Sequence, residues 1–229
     1  MSLKILKHLI NCESEVIDMV DMNAVNPIIG DPTSITAISF YQTRDTLMDT
    51  EEYSKFIYSV ENQFRRSRFY KDYKGSIMNR GIDFDQIMRN INGEMADIEM
   101  HHMLPTLKDA AIAISEYYLI TTGKVCTFDV IKALEEAHRE NMMAVVMLTS
   151  TMHQNVHQDP NAFIPISMCY GNPFKFLDKY GKYFSLDIAF KWLLQFKQEE
   201  QHNYKVYWPN IARAREQLLD WSNSGYIQY

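Results

Sequence analysis

The apolar positions set a helical rhythm through much of the chain. Tyr53, Phe56, Ile57, Val60 and Phe64 step by three and four residues along one stripe. Thr50 followed by Glu51 and Glu52 suits a helix start, with acidic groups at the positive end of the helix dipole. This helix is predicted to run to about Lys74 and to end at Gly75. Residues 106–120 read as a strongly buried helix opened by Thr106 and broken by Gly123, and 128–141 as a second helix capped by Thr127. Further helices are expected at 173–181, 185–203 and 209–222.

Three segments read differently. Residues 96–102 alternate Ile98, Met100 and His102 against Asp97, Glu99 and His101, the period of a strand, which Pro105 closes. Ala144–Leu148 is a continuous apolar run, as in a strand buried on both faces. Thr149-Ser150-Thr151 then caps a short helix carrying His153 and His157. Near the start, residues 3–10 could be a strand or a helical turn, and 35–42 alternate as a strand.

Composition narrows the class. The 229 residues are 46% hydrophobic and 23% charged, which excludes a largely disordered chain. No apolar run approaches the length of a membrane span, and no signal peptide is evident, so a cytoplasmic location is expected. The three cysteines form no CxxC pair, which argues against a Cys-rich zinc site. The net charge of −6 argues against bulk electrostatic coating of nucleic acid. That total hides a +4 stretch over 61–80, where Arg65, Arg66, Arg68, Lys71 and Lys74 alternate with Phe64, Phe69, Tyr70 and Tyr73. These five basic residues are candidate DNA phosphate contacts; the competing reading is a solvated helix face over core aromatics.

Candidate chemistry concentrates in the histidines. Five of seven lie between 101 and 157: His101, His102, His138, His153 and His157. The i, i+4 pair His153/His157 puts two imidazoles on one helix face, a common way to hold a divalent metal. Neighbouring residues on a strand point to opposite sides, so His101 and His102 need different roles: one can ligate a metal while the other faces a substrate.

Taken together, Ile98–Pro105 with its His-His doublet and Val145–His157 with its HxxxH resemble the HNH nucleases, in their colicin-type variant. Phe163–Ile166 and Gly171-Asn172 add a weaker resemblance to HNH-like proteins of large bacteriophages. The resemblance implies a mainly helical α+β fold. Its ββα-metal core would span 95–183, with inserted helices over 106–141, an N-terminal region 1–94 and a helical C-terminal region 184–229. It implies one divalent metal ion (Mg²⁺, Mn²⁺, Zn²⁺ or Ni²⁺) on His101, His153 and His157, with His102 as general base in hydrolysis of a DNA phosphodiester. The family places an Asn nine residues before HxxxH, where this chain has Ala144. Asn141 is the candidate substitute that would orient His102, and His138 lies near as well. The alternative is a catalytically inactive HNH-like binding or assembly module of a phage, with a protein partner; a phage-encoded chain is expected in the host cytoplasm. A helical protein with incidental histidines would keep His101 away from His153 and His157.

Overall fold

The computed structural model describes residues 40–159, 162–202 and 207–226. The expected segment at 3–10 and most of that at 35–42 lie outside them. In chain order the elements are β1 (Gln42–Thr43), α1 (Thr50–Arg66), α2 (Arg68–Met78), β2 (Ile98–Leu104), α3 (Leu107–Thr122), β3 (Lys124–Val125), α4 (Thr127–Arg139), β4 (Ala144–Thr149), α5 (Ser150–Gln158), α6 (Pro173–Tyr180), α7 (Leu186–Gln201) and α8 (Trp208–Asn223). The fold is mainly helical α+β.

The basic segment is two helices, where the sequence predicted one. Ser67 is extended, and its side chain accepts from the Tyr70 amide, so it ends α1 and caps α2 at once. Asp49, rather than Thr50, caps α1 by accepting from the Glu51 and Glu52 amides. Helix α2 runs through Gly75 to Met78. The break matters for the centre of the molecule: it brings Tyr70 over His102 and Tyr73 edge-on to His138. In α4, Thr127 is the first helical residue, and Cys126 occupies the cap position without capping the helix amides through its side chain.

Strands β2 and β4 pair antiparallel, with His101 opposite Val146 and His102 opposite Val145. The register shifts between His102 and Leu104, which ends the regular ladder. Helices α3 and α4, with β3 between them, fill the connection from β2 to β4. Strand β4 is buried on both faces along its whole length, which explains its unbroken apolar run. Val145 and Met147 join the main core with Ile98 and Met100, whereas Val146 and Leu148 form a second cluster with Ile164, packed under Met152 and Val156 of α5.

The outer edge of β4 is closed by loops. Its outward amides donate as follows: Val145 to the Tyr170 carbonyl (2.9 Å), Met147 to Gln86 Oε1 (2.7 Å) and Thr149 to Asp85 Oδ2 (2.8 Å). The Tyr170 and Gln86 amides answer to the Val145 and Met147 carbonyls. Every outward amide of β4's alternating ladder is therefore satisfied without a third strand. Tyr170 can approach because residue 171 is glycine at φ 104°; a Cβ there would sit 2.0 Å from the Met143 carbonyl oxygen.

Candidate metal centre

The three predicted ligands converge. His101 projects from β2 toward α5, and His153 and His157 project back from successive turns of α5. Their candidate ligand nitrogens all lie within 4.8 Å of one another. The ring centroids are 4.9 Å apart for His101–His153, 5.0 Å for His101–His157 and 4.8 Å for His153–His157. His153 Nε2 and His157 Nε2 are 3.1 Å apart. Around a metal with N ligands at about 2.0–2.1 Å, tetrahedral geometry puts such nitrogens about 3.4 Å apart. The α5 pair is near that spacing already, so the residues fit a small divalent ion. The convergence also removes the reading in which these histidines are unrelated.

Electrostatics keep the site ligand-ready. Burial, with the neighbouring His153, His157 and Arg65 charges, lowers the His101 pKa to about 4. His157 is lowered in the same way, burial first. Neutral imidazole is the form that ligates. Glu99, two residues before His101 and on the same face of β2, accepts from Ser150 Oγ (2.7 Å) and pairs with His153 Nδ1 (2.5 Å). Ser150, His153 and the nearby Lys74 hold its carboxyl below the usual range. The sequence reading singled out neither Glu99 nor Ser150, although the i, i+2 relation of Glu99 to His101 was visible.

His102 faces the other way, as strand alternation requires, but into the helical core rather than toward an open cleft. It is 4% exposed. Its Nε2 lies 2.8 Å from His138 Nε2, and the Tyr70 ring stacks on it at 6.0 Å. His138 Nδ1 in turn bonds the Leu134 carbonyl at 2.7 Å, in a cage of Phe64, Phe69 and Tyr73. A carbonyl only accepts, so His138 carries its proton on Nδ1 and its Nε2 accepts from His102 Nε2–H. His102 Nδ1 is left as a buried lone pair with no hydrogen-bond partner among the described residues. Burial, then the His138 and Arg65 charges, drives the His102 pKa well down, and burial takes His138 to about 4.

Asn141 is not the residue that contacts the His102 ring; His138 is. Asn141 makes the turn between α4 and β4 at φ 52°, and its carbonyl accepts from the Asn172 amide (2.7 Å). Asparagine tolerates this left-handed backbone well. Of the predicted phosphate contacts, Arg65 acts electrostatically on His101, His102 and His157, and Lys74 acts on Glu99, so these two flank the histidines. Arg68 pairs with Asp72 (3.4 Å) within α2; Arg66 and Lys71 are exposed on α1 and α2.

The fold and site define a mainly helical α+β protein with a three-histidine centre between a two-stranded sheet and a short helix. The family model of bacteriophage G278-like virion proteins matches residues 5–219, and the chain belongs to that family. Neither a curated protein nor a solved structure matches it. The family supports the phage part of the sequence reading; it does not support membership of the HNH nucleases. Among the described residues no helix is long and apolar enough to cross a membrane.

Proposed function

We propose that the chain works in the phage particle as a non-catalytic binding or assembly module, with a divalent metal held by His101, His153 and His157 as an internal clamp. The match to a virion protein family over residues 5–219 carries the virion role. Burial of His102 argues against catalysis, because its only free lone pair is shut away from water. Three imidazoles favour a borderline ion such as Zn²⁺, Co²⁺ or Ni²⁺ over Mg²⁺, which prefers oxygen ligands. The partners of such a module are other phage assembly proteins. Incubation of supercoiled plasmid with the protein and Mg²⁺, Mn²⁺ or Ni²⁺ is expected to leave it intact. Nicking that His102→Ala removes would overturn the non-catalytic reading.

A second reading is an HNH-type DNA endonuclease, favoured by the convergence of the three histidines beside Arg65 and Lys74. The metal would supply positive charge to the phosphate and the departing oxygen. His102 Nδ1 would accept the proton of the attacking water, with His138 fixing its ring. Arg65, Arg66, Arg68, Lys71 and Lys74 would hold the DNA backbone. This reading requires Tyr70 and the start of α2 to move off His102, so cleavage should rise when Tyr70 is cut back to Ala. Unchanged null activity in Tyr70→Ala with every metal tried would count against it.

A further inference from the structure

We infer that Glu99 is the positioning residue of the histidine centre: it fixes the tautomer and ring orientation of His153, and Ser150 fixes Glu99. The inference rests on the proposed metal site and extends it to a residue outside the ligand set. Glu99 stands on β2, two residues before His101, while Ser150 and His153 stand on the first turn of α5. One carboxylate oxygen accepts from Ser150 Oγ at 2.7 Å and the other pairs with His153 Nδ1 at 2.5 Å. The carboxylate therefore bridges the strand that supplies one ligand and the helix that supplies two.

The tautomers follow from this bridge. An ionised carboxylate has no proton to give, so His153 carries its hydrogen on Nδ1 and donates it to Glu99. With the ring neutral, His153 Nε2 is a lone pair facing His157 Nε2 at 3.1 Å, and the His157 Nε2–H tautomer donates to it. His153 thus presents a metal-ready nitrogen before any ion arrives. His157 has only to move its proton from Nε2 to Nδ1 to do the same. A ligating imidazole whose other nitrogen is held by a carboxylate is oriented and made more basic, and loss of such a partner commonly weakens metal binding about 10- to 100-fold. The Glu99 side chain is 44% exposed, so its replacement leaves no buried cavity.

Two measurements on the full chain decide the matter. Zn²⁺ competition against Co²⁺, read by cobalt absorption, is expected to give Glu99→Ala at least about tenfold weaker binding than wild type. Ser150→Ala should fall between them, and His153→Ala should lose the site. Nitrogen-15 spectra of the metal-free imidazoles should show His153 as the Nδ1–H tautomer in wild type and a mixture in Glu99→Ala. Equal metal affinity in wild type and Glu99→Ala, or a wild-type His153 protonated on Nε2, would overturn the inference. If wild type binds neither ion, the metal-site reading fails, and the tautomer spectra alone still decide whether Glu99 positions His153.

Discussion

Asp85 collects four donors on one carboxylate: the Ile87 and Met88 amides on Oδ1, and the Thr149 amide and hydroxyl on Oδ2, at 2.8–2.9 Å. Burial pushes its pKa up, but these bonds outweigh burial and leave it below the usual value. A depressed carboxyl stabilises the fold above its unfolded pKa and loses that contribution as pH falls through the folded value. Asp85→Asn should therefore cost about 2–3 kcal/mol at pH 7, because an amide nitrogen would face the Thr149 amide. Urea melts should show the gap to wild type closing below about pH 4. Glu199 is the opposite case. It is buried; one oxygen accepts from the Ile166 amide (2.6 Å) and the other has no partner among the described residues. Burial raises its pKa, so its contribution is greatest at low pH and is lost as pH rises through the folded value. Glu199→Gln should match or exceed wild-type stability at pH 7.5 and lose that advantage at pH 4 in the same melts. At this scale sequence was a partial guide. The His-His doublet and HxxxH were legible because their spacing is local. His138 could be noticed but not chosen over Asn141, and Asp85 and Glu199 gave no signal, because their partners come from distant elements.

Among the elements, α3 was read nearly to the residue, because it lies between Thr106 and a left-handed Gly123. Strand β2 was anticipated from alternation and β4 from its apolar run. The break at Ser67 was not, because the apolar stripe of α1 continues in type through Phe69, Tyr70 and Tyr73 and only the backbone turns. Two glycines give contrasting expectations. Gly75 lies inside α2 with nothing within 4 Å of an added Cβ, so Gly75→Ala should raise stability by about 0.5–1 kcal/mol. Gly171→Ala combines a φ of 104° with a backbone oxygen 2.0 Å away and should cost more than about 3 kcal/mol or prevent folding. Thermal melts of the two variants check both signs; a neutral Gly171→Ala would mean that the bridge from Tyr170 to β4 is dispensable.

For the whole molecule, one contiguous cluster of buried side chains runs from Leu47 to Leu218. Trp192 and Phe196 of α7 pack on Phe184, the first residue of the C-terminal region suggested by sequence, and on Phe174, which lies before that region. A chain ending at residue 184 would bare Phe174 and Phe184 and is expected to lose its near-ultraviolet circular dichroism and bind hydrophobic dyes. A truncated chain that keeps a cooperative melt would show that the C-terminal helices fold apart from the rest. Zinc should act on the intact molecule as a native-state ligand: at one hundred times its dissociation constant it adds about 2.7 kcal/mol, and His157→Ala should abolish the gain.

The connection that separates β2 from β4 has a kinetic side. Residues 105–143, with α3 and α4, lie between two strands that must meet in register. Closing so long a loop is unfavourable until the intervening helices shorten it. Packing of α3 on α4 should therefore precede strand pairing in the rate-limiting step. Truncating Ile114 or Leu134, both fully buried, should slow folding, whereas truncating Val146 should mainly speed unfolding. On that order of events the histidines come together last, so a bound ion would lengthen the life of the folded chain far more than it would hasten its formation.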